Sequence, residues 1–237
     1  NTIISFMRGT KFSVIGMGKY GKSIAQILSD RGAEVIAIDN REDLVEEVED
    51  FVALAVTMDA TDGKALEAQN IHECDAVVVA IGSNFEALLL CCFQLKELGV
   101  KRIIARSNDE NQKKILLRMG IEEILEPEKE IGVFVAEQLI NPNIVSFLQL
   151  PDDYEVAEIK PPVDIAERSV EDIGLRNKYR LNLITIKRCF EEDKGNSIEV
   201  VQHILGVPSA DTIIKQTDTL IVFGTSRDIQ RFIEINS

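Results

Sequence analysis

Positive charge is what this chain is short of. Its 237 residues hold 26 Lys and Arg against 40 Asp and Glu, a formal net charge of −14. Nucleic acids and anionic membrane surfaces are bound through basic patches, so neither is an expected partner. Long apolar runs are also missing. None reaches the roughly 18 residues that span a bilayer, so direct membrane insertion is not expected, and no stretch reads as a secretory leader. Cysteine is sparse. Cys74, Cys91, Cys92 and Cys189 show no C-x-x-C spacing, and Cys91 and Cys92 fall in an apolar run that reads as helix core, which points to a reduced cytosol. Histidine is rarer still. His72 and His203 have no acidic partner visible in the sequence, and both are expected to be structural. No Tyr-x-x-x-Lys pair exists: four positions after Tyr20, Tyr154 and Tyr179 stand Ile24, Glu158 and Leu183. These gaps weigh against acid–base catalysis.

What is present is a nucleotide fingerprint. Lys11–Ile15 reads as an apolar strand, Gly16-Met17-Gly18-Lys19-Tyr20-Gly21 as a G-x-G-x-x-G turn into a helix, and Glu34–Asp39 as a second strand ending on a carboxylate. Gly16 permits the tight turn, Gly18 lets backbone approach a pyrophosphate, and Gly21 lets helix pack on sheet. The helix start offers N–H groups and a positive dipole to phosphate. Asp39, about 20 residues on, is placed to accept bonds from ribose hydroxyls.

Strand and helix patterns then alternate. Strands are expected at Val52–Val56, Ala76–Ile81, Arg102–Ala105 and Ile121–Leu125. Helices are expected near Gly63–Asn70, from a cap at Ser83 or Asn84 to Glu97, and from a cap at Asn108 or Asp109 to just before Gly120. Repeated βα units imply a Rossmann-like, doubly wound parallel sheet over residues 1–126, with no function attached to residues 1–10. Pro127 opens a helix ending at Asn141-Pro142-Asn143. Its apolar residues, and those of Ile144–Leu150, surround too much of the axis for one sheet face to bury. Residues 127–150 are therefore expected to form a crossover helix–turn–helix that dimerises, in preference to one covered by the C-terminal lobe. Residues 151–237 read as a small α+β lobe. Its strands are expected at Tyr154–Lys160, Leu181–Lys187, Ile198–Leu205 and Asp218–Gly224, with Glu191–Ser197 a polar loop. A capping pair at Ser169 and Asp172 starts a helix to Lys178. Ser226 caps a last helix carrying Ile229, Phe232 and Ile233.

A nucleotide site without a convincing acid or base suggests sensing rather than turnover. The chain resembles the RCK or KTN family of cytosolic potassium-conductance regulators, of the TrkA and KtrA type, from about Lys11 to its C-terminus. The resemblance is carried by the glycine turn, Asp39, Met58-Asp59-Ala60-Thr61-Asp62, Ala80-Ile81-Gly82-Ser83-Asn84, Leu116-Leu117-Arg118-Met119-Gly120, Glu126–Gly132 and Asp218–Gly224. It implies an RCK N-lobe binding ATP/ADP or NAD(H), a TrkA-C regulatory lobe, and homodimers assembling into an octameric ring. It also implies a peripheral position at the inner face of the plasma membrane, beneath a potassium channel or transporter subunit of the TrkH or KtrB type.

By that resemblance the cofactor site comprises Gly16, Met17, Gly18, Lys19, Tyr20, Gly21, Asp39, Asn40, Asp59, Ala60, Thr61, Ile81, Gly82 and Arg106, with Glu128 near the phosphates and a divalent cation. Lys19 follows the second glycine, where ATP-binding relatives often carry Arg. It keeps the charge without the planar fork, and ATP/ADP is favoured over NAD(H). Two other readings stay open. One is an NAD(P)-linked oxidoreductase or redox sensor. The other is a cyclic-dinucleotide module in which Arg176, Lys187 and Arg188 of the second lobe contact phosphates.

Overall fold

A computed structural model describes residues 9–193 and 198–237. The chain divides into two compact units, one ending at Glu128 and one running from Lys129 to Ser237.

Among the described residues of the first unit, six strands form a parallel sheet: β1 (Lys11–Ile15), β2 (Glu34–Asp39), β3 (Leu54–Thr57), β4 (Ala76–Val79), β5 (Ile103–Arg106) and β6 (Glu123–Leu125). Their order is β3-β2-β1-β4-β5-β6, so the winding reverses between β1 and β4. The connecting helices are α1 (Lys19–Asp30), α2 (Glu42–Glu46), α3 (Gly63–Ala68), α4 (Phe85–Glu97) and α5 (Glu110–Arg118). Successive strand residues bury in different clusters. Ile15, Ile36, Ile38, Val77 and Val79 meet Leu66, Cys91, Leu95 and Leu116 from α3, α4 and α5. Val14, Val35, Ala37 and Val78 meet Ala25, with Ile24 and Leu28, from α1. Both faces are covered, which is why the strands read as continuous apolar runs. The helix starts follow side-chain chemistry: Asn84, Asp62 and Asp109 each accept from backbone N–H groups of the turn they open.

The helix α6 (Pro127–Ile140) carries the chain from the first unit into the second. The second unit is an antiparallel sheet of β7 (Ile144–Gln149), β8 (Tyr154–Ile159), β9 (Asn182–Asp193), β10 (Ile198–Ile204) and β11 (Thr219–Thr225), in the order β10-β9-β11-β8-β7. The short helices α7 (Val170–Ile173) and α8 (Leu175–Tyr179) and the terminal α9 (Ser226–Ile235) cover it. Its core joins Ala157, Ile159, Ile186, Leu220 and Val222 of the sheet to Ile173, Leu175, Ile229 and Phe232 of the helices.

Several local expectations are corrected. The crossover is a helix followed by a strand, not a helix pair. Ile144–Gln149 pairs antiparallel with β8, because β-branched and aromatic residues bounded by Pro142 and Pro151 suit a short strand. The helix expected from Ser169 to Lys178 breaks at Gly174, which stands at φ +64 between α7 and α8. Of the expected loop, Glu191–Asp193 belongs to β9 and residues 194–197 lie outside the described residues. Thr225, not Ser226, caps α9, its hydroxyl accepting from Asp228 N–H at 3.1 Å.

Candidate functional site

The C-terminal ends of β1, β2, β4 and β5 open onto a cleft of about 660 Å³ inside the first unit. It lies where the strand order reverses, the place at which open α/β sheets leave a crevice. Of the residues expected there, Gly16, Gly18, Lys19, Tyr20, Asp39, Asn40, Asp59, Ala60, Thr61, Ile81, Gly82, Arg106 and Glu128 all line it. Met17 and Gly21 do not. Met17 is buried beneath the turn, and Gly21 faces it from α1. The wall also includes Ile15, Arg41, Leu44, Met58, Ala80, Ser83, Asn84 and Ala87. Motif spacing missed Arg41 and Leu44 because they depend on how the chain turns after β2. Met58, Ala80, Ser83 and Asn84 belong to the motifs that carry the resemblance but not to the expected cofactor residues.

The three glycines answer to different demands. Gly16 holds φ +98, and a Cβ there would stand 3.0 Å from Ile81 N. At Gly21 a Cβ would fall 1.8 Å from Gly16 O. The fold requires both. Gly18 is unlike them: φ −62 and ψ 177 suit any residue, and a Cβ would meet nothing within 4 Å. Gly18 caps α1, a position glycine suits, and no described residue crowds it, which leaves its backbone bare toward the cleft. The first turn of α1 holds no acidic residue, and Lys19 opens it. A cation at a helix start opposes the dipole, and an anion bound there removes the conflict.

Asp39 organises the turn. One carboxylate oxygen accepts Met17 N–H at 2.6 Å and the other Arg41 N–H at 2.9 Å. A carboxylate has about four lone-pair sites, so acceptor capacity is left for ribose hydroxyls. Asp59 is fixed by the backbone N–H of Thr61 at 2.9 Å and its hydroxyl at 2.8 Å, and these bonds hold its pKa below the ordinary carboxylate value. Arg41 forks onto Asp43, whose carboxyl is held low by that bond. Arg106 pairs with Glu128, lies 5.7 Å from the centroid of the Tyr20 ring, and passes so close to Gly82 that a Cβ there would sit 2.7 Å from Nη1.

Neither histidine lines the cleft. His203 does have an acidic partner, Glu192 Oε1 at 2.9 Å from Nε2, an expectation corrected by the β9–β10 hairpin bringing the two together. Burial pushes the Cys74 thiol up to about 11, the Cys92 thiol to about 12 and that of Cys91 well above its usual value. In the second unit, Arg188 is committed to Asp218 through two bonds of 2.8 and 2.7 Å, and Lys187 to Glu158 at 2.5 Å. Two of the three cations considered for a cyclic dinucleotide therefore already have carboxylate partners. Among the described residues no cluster of three His, Cys, Asp or Glu is placed to hold a metal ion. Glu128, expected near a cation, belongs to no such cluster and is paired with Arg106.

The TrkA-N domain family matches residues 12–127. The Ktr system potassium uptake protein C of Bacillus subtilis (strain 168) is 34% identical over 94% of this chain and 95% of its own length. The chain belongs to the Ktr/Trk family of potassium uptake proteins. Another Ktr/Trk relative, the Ktr system potassium uptake protein A of the same organism, is 30% identical over 95% of this chain and 96% of its own length. Among solved structures, the GsuK channel aligns with a TM-score of 0.64 at 15% identity over 94% of this chain. The crystal structure of the GsuK RCK domain aligns at 0.53 and 22% over 95%. This chain spans 38% and 47% of those two structures, and the likeness shows that the Ktr/Trk fold is shared. Among the described residues no helix is long and apolar enough to cross a membrane.

Proposed function

We propose that this chain is a nucleotide-sensing regulatory subunit of a membrane potassium uptake system, without enzymatic turnover of its own. The observation that carries the nucleotide reading is Gly18, a glycine with open space before its backbone at the mouth of a cleft whose neighbours are a helix start, Lys19 and Asp39. The potassium reading rests on family membership, since relatives matched along nearly their whole length are potassium uptake proteins.

The ligand is an adenine nucleotide, with ATP and ADP preferred over NAD(H). Lys19 and Arg106 supply cations for terminal phosphates. Backbone N–H groups at the start of α1 take the phosphate nearer the ribose, and Asp39 takes the ribose. A divalent cation, where one takes part, is held between Glu128 and the phosphates. The readout is mechanical. One nucleotide binds one arrangement of assembled subunits more tightly than another, and only that difference in affinity moves the membrane partner. Homodimers building an octameric ring against a TrkH- or KtrB-type subunit, at the cytoplasmic face, are the proposed assembly.

Equilibrium binding of ATP, ADP, NAD, NADH and cyclic di-AMP to one purified preparation tests this. ATP and ADP are expected to bind most tightly, with ATP more dependent on divalent cation. Tightest binding of NADH, unaffected by Lys19→Gln, replaces the ATP/ADP reading with a redox sensor. Failure of every nucleotide removes the sensing function.

A further inference from the structure

The Arg106–Glu128 ion pair occupies the cation that a phosphate would use. Arg106 ends β5 at the edge of the cleft, and its side chain is only 18% exposed, against 64% for Glu128. The guanidinium is held in place on two sides. It rests on Gly82, where a Cβ would come 2.9 Å from Cζ, and it lies over Tyr20. Glu128 is engaged through one nitrogen, Nη2. The Nε atom is buried and meets no acceptor among the described residues. A guanidinium offers five donors in a planar fork suited to bidentate oxyanions. Here the fork is preorganised and half used, and its counter-ion is the more solvated partner. Glu128 also sits in the first turn of α6, the helix that leads into the second unit.

We propose that Glu128 is an internal counter-ion that a ligand's phosphate displaces from Arg106, so that phosphate binding frees the first turn of α6. The inference rests on the nucleotide reading of the cleft and adds its regulation. Phosphate oxygens take Nη2 and Nε together, which a single carboxylate oxygen on Nη2 does not. The pair then acts as a latch that lowers apparent affinity by the fraction of time it is open. A latch closed nine-tenths of the time weakens phosphate binding about tenfold. Ligands without phosphate do not feel it.

Isothermal titration of the full chain and of Glu128→Gln with ATP and with adenosine, each in EDTA and in magnesium, tests the latch. Glu128 is exposed, so the variant is expected to fold. In EDTA the variant should bind ATP about tenfold more tightly than the parent, with adenosine binding unchanged. Amide exchange provides a second readout. ATP should raise exchange across residues 129–131 in the parent, and in Glu128→Gln exchange there should already be high without ATP. ATP binding in EDTA that is unchanged or weaker in the variant overturns the latch while leaving the nucleotide reading intact. Weaker binding in magnesium without any gain in EDTA leaves Glu128 only its cation role and likewise overturns the latch. If neither protein binds ATP under any condition, the nucleotide reading falls and the latch with it.

Discussion

Gly18 and Gly21 are three residues apart and should respond to substitution in opposite ways. Gly18→Val adds a side chain into open space at a backbone conformation any residue adopts. Folding stability should fall by no more than about 1 kcal/mol, since Gly18 caps α1 and valine caps poorly while restricting the unfolded chain. Nucleotide affinity should fall at least about tenfold, roughly 1.4 kcal/mol. Gly21→Ala places a Cβ 1.8 Å from Gly16 O and should cost about 1–3 kcal/mol of stability or more. Thermal melts with parallel nucleotide titrations separate the two. A Gly18→Val protein that binds nucleotide like the parent would falsify the ligand-approach argument. Asp39→Ala removes an acceptor for two backbone N–H groups as well as the proposed ribose partner, and a loss of nucleotide affinity of about tenfold or more is expected.

Glu155, also at the residue scale, is buried, and burial raises its pKa; the Ser226 hydroxyl at 2.9 Å lowers it again and the charge of Glu137 adds to the rise. A carboxyl with a raised folded-state pKa holds its proton longer folded than unfolded. Its stabilising share is therefore present below the ordinary glutamate value and lost as pH rises through the folded one. Glu155→Gln should change little near pH 4 and raise the melting temperature increasingly toward pH 7, by about 2–4 °C for each kcal/mol recovered. An equal shift at both pH values would remove the titration argument. The cysteines give a simpler check. A thiol reagent at pH 8 should modify exposed Cys189 quickly and Cys74, Cys91 and Cys92 only on unfolding.

At the scale of elements, α6 is a helix whose apolar residues the described residues leave open. None of its residues is buried, and Ile131, Leu139 and Ile140 are 62%, 77% and 68% exposed. Phe134 stacks on Phe147 at 6.2 Å within the second unit, so a charge there would disturb the fold as well as an interface. Leu139→Asp is the cleaner probe. It should leave the melting temperature of the isolated chain unchanged and weaken self-association, because an unpaired carboxylate in an apolar interface is strongly unfavourable. Light scattering across concentrations reads the outcome. A parent protein that stays monomeric with and without nucleotide would remove α6 as an assembly surface.

For the whole molecule, the Arg188–Asp218 pair shows why Arg188 is not freely available to a ligand. Asp218 is buried, takes both Arg188 bonds and also accepts Lys215 N–H at 2.8 Å. Asp218→Ala should destabilise by about 3–5 kcal/mol, seen as a lower denaturant midpoint, because it strands a largely buried guanidinium. What the sequence alone determined was the parallel sheet and most of the cleft. Strands buried on both faces write their own apolar runs, and a glycine turn followed by a carboxylate at a strand end is a local pattern. The strand Ile144–Gln149 escaped that reading, since its pairing with Tyr154–Ile159 depends on two left-handed residues, Asp152 and Asp153, turning the chain between them. Only tertiary structure could show how tightly Gly16 and Gly21 are enclosed while Gly18 stands open, or set Arg106 against Glu128 across 22 residues of chain. Those facts are distances between atoms far apart in sequence, and periodicity carries no record of them.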